Sequence, residues 1–294
     1  MISPITPPDV FESDGCEHPS YACCCHGWRS EIPYGMVNSP DSYHERVKDY
    51  SPDRIAPFNS ANKRSPQARK IEQQLLIQRL DLRPGQRVLD TGSGGGYLVD
   101  GFPKSLRDTG TIICSDASEH FIATVPKPFL PIVCGMDAFP LSRDSMDRVC
   151  NLAGLHHVEY KDRFFREAAR VLKSGGLIAV ADVRSGTRPA RWLNGPVDRF
   201  TDIGHDGMFV AEGEFSALLE KAGFSEIEEK HEIYPWSFEG WEELVDFCRD
   251  LFRLAKATRE DIEAALEECL VITRDREAVT LEWELTYATG RIPE

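Results

Sequence analysis

Val88-Leu89-Asp90-Thr91-Gly92-Ser93-Gly94-Gly95-Gly96 is the stretch that decides the fold. Residues 86–90 read as a short apolar strand, and the glycines at 92, 94 and 96 permit a tight turn from strand to helix. Without Cβ atoms, such a turn lets the backbone approach a ligand closely. No Lys-Ser/Thr pair follows it, so the turn is not a nucleoside-triphosphate P-loop. Residues 97–108 read as a short helix, weakened inside by Asp100, Gly101 and Pro103.

Outward from this turn, strands alternate with helices. Upstream, Ser65 can cap and Pro66 can begin a helix that carries Ile71, Leu75, Leu76 and Leu80. Downstream, residues 111–115, 131–134 and 146–151 read as strands. A helix over 161–172 puts Phe164, Phe165, Ala168, Ala169 and Leu172 on one stripe; Gly175-Gly176 closes it, and residues 177–181 form a strong strand. This rhythm predicts an α/β fold with a doubly wound, mostly parallel sheet covered on both faces. Later come helices over 211–222, 238–255 and 258–269, a strand over 227–234, and a last strand over 280–287 near the sheet edge.

Asp116 ends the second strand, where an acid can bond both hydroxyls of a ribose. Asp137-Ala138 ends the third, a position suited to reading an adenine edge. Strand ends on one side of such a sheet converge on one crevice, so three successive elements point at one nucleoside.

These segments resemble the class I S-adenosylmethionine-dependent methyltransferases. Asp90 to Gly96 matches that family's first cofactor motif. Cys114-Ser115-Asp116-Ala117-Ser118 looks like its ribose-binding acid, and Cys134 to Leu141 like its adenine segment. Asp147 to Asn151 with Leu155-His156-His157-Val158, and Phe165 to Leu177, look like its later motifs. The resemblance covers about residues 66–290 and is strongest in the small-molecule type, such as members acting on quinones and sterols. It implies a seven-stranded Rossmann-like sheet and an enzyme that moves a methyl group from S-adenosyl-L-methionine to a small-molecule acceptor. It assigns cofactor binding to Asp90, Gly92, Gly94, Gly96, Asp116, Ala117, Asp137, Ala138 and Asn151.

In-line methyl transfer needs alignment, exclusion of water and sometimes removal of a proton, but no metal. His156 and His157 follow the fourth strand and are the catalytic candidates, because an imidazole can orient or deprotonate a hydroxyl or amine. Arg184, Arg188, Arg191, Arg199 and His205 form a basic interval suited to an anionic acceptor. Tyr43 joins Arg184, Arg188, Arg199 and His205 as a substrate-binding candidate. Cys16, His18, Cys23, Cys24, Cys25 and His26 are spaced poorly for one tetrahedral ion, so no metal is expected there.

The 294 residues suit one large domain with insertions. Residues 1–65 read as an N-terminal arm or lid and 66–294 as the catalytic domain, with substrate caps around 184–210 and 238–269. The net charge of -14 disfavours nucleic acid and anionic membranes as partners. The start of the chain lacks a signal-peptide pattern and no apolar run is long enough to span a bilayer, so a cytoplasmic location is expected. Protein methylation and a non-catalytic nucleoside-binding scaffold are the alternatives. The acceptor atom and the oligomeric state stay open.

Overall fold

Eight strands of the described residues form one sheet. The computed structural model describes residues 52–275 and 278–294. The strands are β1 Arg87–Thr91, β2 Thr111–Asp116, β3 Leu130–Val133, β4 Met146–Leu152, β5 Leu172–Asp182, β6 Ser225–Phe238, β7 Ile272–Arg274 and β8 Val279–Arg291. Seven run in the order β3-β2-β1-β4-β5-β8-β6, and the short β7 pairs on β8. β1 to β5 are parallel, and β8 is antiparallel to both β5 and β6. This is the doubly wound, mostly parallel Rossmann-like sheet of the methyltransferase fold. The last strand lies one in from the edge: β8 sits between β5 and the edge strand β6, which pairs with it from Ser225 to Phe238.

Central strands alternate between two cores. Val88, Ile112, Cys150, Ala179 and Ala181 pack on one face. Leu89, Ile113, Val149, Ile178 and Val180 pack on the other. Successive side chains of a strand point to opposite faces, so covering both faces turns each central strand into a nearly continuous apolar run. β3 is the exception. Leu130 and Val133 are 49% and 53% exposed, and Pro131, which has no N–H to give a ladder, is tolerated at this edge.

Helix boundaries differ from expectation for local reasons. Pro52–Arg64, inside the stretch read as an arm or lid, is a helix with Ile55 and Ala61 buried. Ser65 and Pro66 do not start the next helix. The Ser65 N–H bonds the Ala61 carbonyl and so closes the preceding one; the following helix is Lys70–Arg79. Residues 97–108 split into Tyr97–Asp100 and Lys104–Thr109, with Pro103 at the N-cap of the second. Lys161–Val171 ends one residue early: Leu172 is already extended and begins β5, and Gly175 (φ 69°) bends the chain within the strand. Among the described residues no helix is long and apolar enough to cross a membrane.

One polar cluster sits inside the core. Glu72 is 0% exposed. Its carboxylate accepts from the Arg69 guanidinium, from Trp236 Nε1 at 3.1 Å and from the Tyr234 hydroxyl at 3.5 Å. The Tyr287 hydroxyl donates to the Glu72 carbonyl at 3.3 Å, and Tyr97 donates to the Arg69 carbonyl at 2.8 Å. The antiparallel pair β6–β8 is thereby fastened to the helix Lys70–Arg79. Removing one partner of a buried ion pair strands the other charge, at a cost of about 3–5 kcal/mol. Glu72→Gln should lower unfolding stability by roughly that amount in urea titrations. Arg64→Ala, which breaks an exposed pair with Asp250, should cost less than about 1 kcal/mol.

Candidate active site

The strand order reverses between β1 and β4: the chain leaves β1 toward β2 and leaves β4 toward β5. Their carboxyl ends therefore open a crevice that no crossover helix fills. A cavity lies there. Asp90, Gly92, Ser93, Gly94, Asp116 and Met136 line one end. His156, His157 and His205 line the other, and Leu193, Val197, Trp236, Leu251, Phe252 and Trp283 line the wall.

At the first end, backbone geometry forces glycine. Gly92 and Gly94 have φ of 60° and 53°, and a Cβ on Gly92 would lie 2.4 Å from the Met136 methyl. Asp116 secures the turn: one carboxylate oxygen accepts from the Gly94 N–H at 3.0 Å and the other from the Ser118 N–H at 2.9 Å. Burial raises the Asp116 pKa, and the backbone N–H groups of Ser118, Gly94 and Ala117 pull it back. Asp90 has no such support. Its Oδ2 is buried without a hydrogen-bond partner in the protein. Burial, helped by the neighbouring Asp116 charge and opposed by a bond from Cys150, pushes its pKa up to about 8. An orphaned carboxylate oxygen beside a glycine cradle fits a ligand that brings its own donor or positive charge.

At the other end, the residues after β4 are held by β5. Asp182 is 0% exposed. Its Oδ2 accepts the His156 N–H at 2.9 Å, and its Oδ1 accepts the Val183 N–H and meets His156 Nδ1, both at 2.7 Å. A carboxylate that already takes two backbone donors accepts from the ring as well, so Nδ1 carries the proton and Nε2 the lone pair. Aromatic side chains of the antiparallel extension close the cavity. Trp236 stacks on Trp283 at 4.2 Å, and Phe252 packs beside both.

The structure gathers part of the expected set. Asp90, Gly92, Gly94, Asp116, His156, His157 and His205 all line the cavity. Gly96, Ala117, Asp137, Ala138 and Asn151 are not among its lining residues. Gly96 caps the helix Tyr97–Asp100. Asp137 lies 3.9 Å from Arg163 and Ala138 is exposed, while the neighbouring Met136 lines the cavity. Asn151 is wholly buried; it donates to the Thr91 carbonyl at 2.7 Å and accepts from the Gly154 N–H at 3.1 Å, which ties β1 to the turn after β4. Arg184 and Arg188 line a separate open groove with Arg191, Glu212 and Glu284. Arg199 is exposed and lies over the Phe200 ring. Arg184 pairs with Glu212 at 3.5 Å, and none of Arg184, Arg188 and Arg199 lines the cavity. Tyr43 and the N-terminal cysteines lie outside the described residues. Sequence reasoning missed Asp182, although it ends a strand just as Asp116 does. It also missed Trp236 and Trp283, whose meeting depends on the β6–β8 register.

Residues 89–180 match the family described as "Methyltransferase domain". The ubiquinone/menaquinone biosynthesis C-methyltransferase of Bordetella avium is 30% identical over 127 residues, 41% of this chain and 50% of that protein. The chain spans about half the length of the curated relatives it matches. Phosphoethanolamine N-methyltransferase 2 of Haemonchus contortus, solved with S-adenosyl-L-methionine, is similar in fold at TM-score 0.57 and 13% identity, over 90% of this chain and 62% of that one. The [4+2]-cyclase SpnF is similar at TM-score 0.55 and 17% identity, over 86% of this chain and 96% of that one. The match to a methyltransferase domain is thus confined to residues 89–180, and the likeness to solved methyltransferases is one of fold.

Asp90 makes stability depend on pH. An unfolded aspartate titrates near about 3.9. Between that pH and about 8 the folded chain therefore holds a proton that the unfolded chain has lost. Its contribution is complete below the lower value and disappears as pH rises through the upper one. Asp90→Asn should flatten this slope, gaining on the parent progressively as pH rises from about 4 to about 8, and by a constant amount above that, in urea denaturation across a pH series.

Proposed function

We propose that this chain is an enzyme that methylates a small molecule, with S-adenosyl-L-methionine as donor. The carrying observation is the shared cavity: an orphaned Asp90 oxygen and a glycine cradle at one end, an oriented imidazole at the other. When bound, S-adenosyl-L-methionine supplies a methyl group on a sulfonium that is a good leaving group. Asp90, Gly92, Gly94 and Asp116 would hold it, with Met136 against it. Leu193, Val197, Trp236, Leu251, Phe252 and Trp283 would exclude water from the acceptor. His156 presents an Nε2 lone pair fit to take the acceptor's proton, and Asp182 steadies the ring that receives it.

The lining also speaks to the acceptor. Arg69 is the one guanidinium among the described lining residues, and Glu72 already neutralises it. This favours an apolar or aromatic acceptor bearing one ionisable atom over an anion held by Arg184, Arg188 and Arg199. It also agrees with the quinone-directed enzyme among the relatives. Fold alone does not decide the reaction, since a [4+2]-cyclase shares it. Turnover therefore has to be measured.

Calorimetric titration with S-adenosylhomocysteine should show one saturable site, and NAD should show none. Asp116→Ala removes a charged acceptor worth about 1.5–3 kcal/mol and should weaken binding roughly 10- to 100-fold. Unchanged affinity would place the cofactor elsewhere. In an acceptor screen led by phenols and thiols, His156→Ala should lower kcat by roughly 100-fold or more.

A further inference from the structure

Three imidazoles converge at the acceptor end of the cavity. His156 and His157 come from the single turn Leu155–His157, and His205 from the loop that follows Asp198–Phe200. One nitrogen from each ring lies within 4.8 Å of one nitrogen from each of the others. The ring centroids are 4.0 Å apart for His156–His157, 5.3 Å for His156–His205 and 5.2 Å for His157–His205.

Two of these rings have their tautomer set by a protein acceptor. Asp182 fixes the proton of His156 on Nδ1. Asn194 does the same for His205: its Oδ1 lies 3.0 Å from His205 Nδ1 and also accepts the Gly207 N–H at 2.8 Å. The Asn194 amide donates from its other end to the Gly207 carbonyl at 2.9 Å, which identifies Oδ1 as the acceptor. Asp198 holds the His205 N–H at 2.7 Å. In the neutral ring, each Nε2 then carries the lone pair. This is the arrangement that metal-binding histidines adopt, with the second nitrogen donating to a carboxylate or carbonyl. Acid–base work needs one oriented imidazole. A second one, separately oriented and brought to the same point by a pinned loop, needs a further reason.

We propose that His156, His157 and His205 bind one divalent transition-metal ion, for which zinc is the best fit, with an open coordination position facing the cavity. Three imidazoles and no carboxylate favour zinc over magnesium or calcium. Zinc–nitrogen bonds of about 2.0–2.1 Å require nitrogens about 3.3 Å apart, so the widest pair must close by about 1.5 Å. His157 and His205 are only half-buried and can turn to do so. The open position would take the oxygen or sulfur of the acceptor; that clause alone rests on the methyltransferase reading. With the ion bound, His156 Nε2 is a ligand and no longer the base, so a hydroxyl or thiol binding there gives its proton to solvent and its lone pair to the ion, with no change of oxidation state.

The test is a zinc titration of the full-length chain, stripped of metal by chelator, against a chromogenic indicator. Cys16, Cys23, Cys24 and Cys25 are replaced by serine so that thiolates cannot contribute. One equivalent should bind. His157→Ala and His205→Ala should each weaken it at least 100-fold. Asn194→Leu, which touches no ion, should weaken it roughly 10- to 100-fold. Cobalt(II) in place of zinc should give visible bands without a thiolate charge-transfer band. The proposal is overturned if the serine background binds no zinc at about 10 µM, or if the histidine variants bind it unchanged. Titrating S-adenosylhomocysteine into the same metal-free samples reads the proposed function separately. A chain that binds the nucleoside but no zinc loses only this inference, and the reverse result keeps the ion site and removes the methyl donor.

Discussion

Reversal of strand order at β1 and β4 is the constraint on which the site depends. A parallel sheet covers its own faces with crossover helices, and only where the crossovers diverge does an opening survive. The register sets its width: Thr91 stands opposite Asn151, and the Asn151 amide spans the two strand ends. A glycine turn and a histidine turn therefore meet across one gap, although some sixty residues separate Thr91 from Asn151 in the chain.

The two ends of the gap solve different physical problems. At the glycine end the backbone itself must come close, so side chains are absent and one carboxylate, Asp116, supplies the rigidity. At the histidine end the side chains must be aimed. Aim comes from acceptors behind the rings: the buried Asp182 for His156 and the exposed Asn194 for His205. The antiparallel addition β6–β8 closes the space with stacked aromatic rings, and Glu72 anchors that addition to the helix below.

Much of this was legible locally. Apolar runs ending in Asp90 and Asp116 marked strands, and the spaced glycines marked the turn between strand and helix. Helix ends were less legible, because Ser65 can begin a helix or close one and only the Ala61 carbonyl decides which. Pairing was not legible at all. The alternation in β8 is as clear as that of any edge strand, yet it sits one strand in, between β5 and β6. Charge misled in a similar way. Five basic residues between 184 and 205 suggested a binding face, but sign carries no direction, and only His205 reaches the cavity. Asp182 was readable by the same rule as Asp116 and passed unnoticed beside that basic interval.

Glu72, Arg69 and Trp236 also bear on how such a pocket can diversify. Trp236 lines the cavity and at the same time donates to the buried carboxylate that neutralises Arg69. Changing it to admit a new acceptor leaves a core charge pair one donor short. Leu193, Val197 and Leu251 carry no such polar duty, although they pack in the same hydrophobic core as Trp236. The wall is thus divided into positions that contribute packing alone and one that also completes a buried polar cluster. New ligand shapes would be reached first through Leu193, Val197 and Leu251, while the tryptophan pair persists.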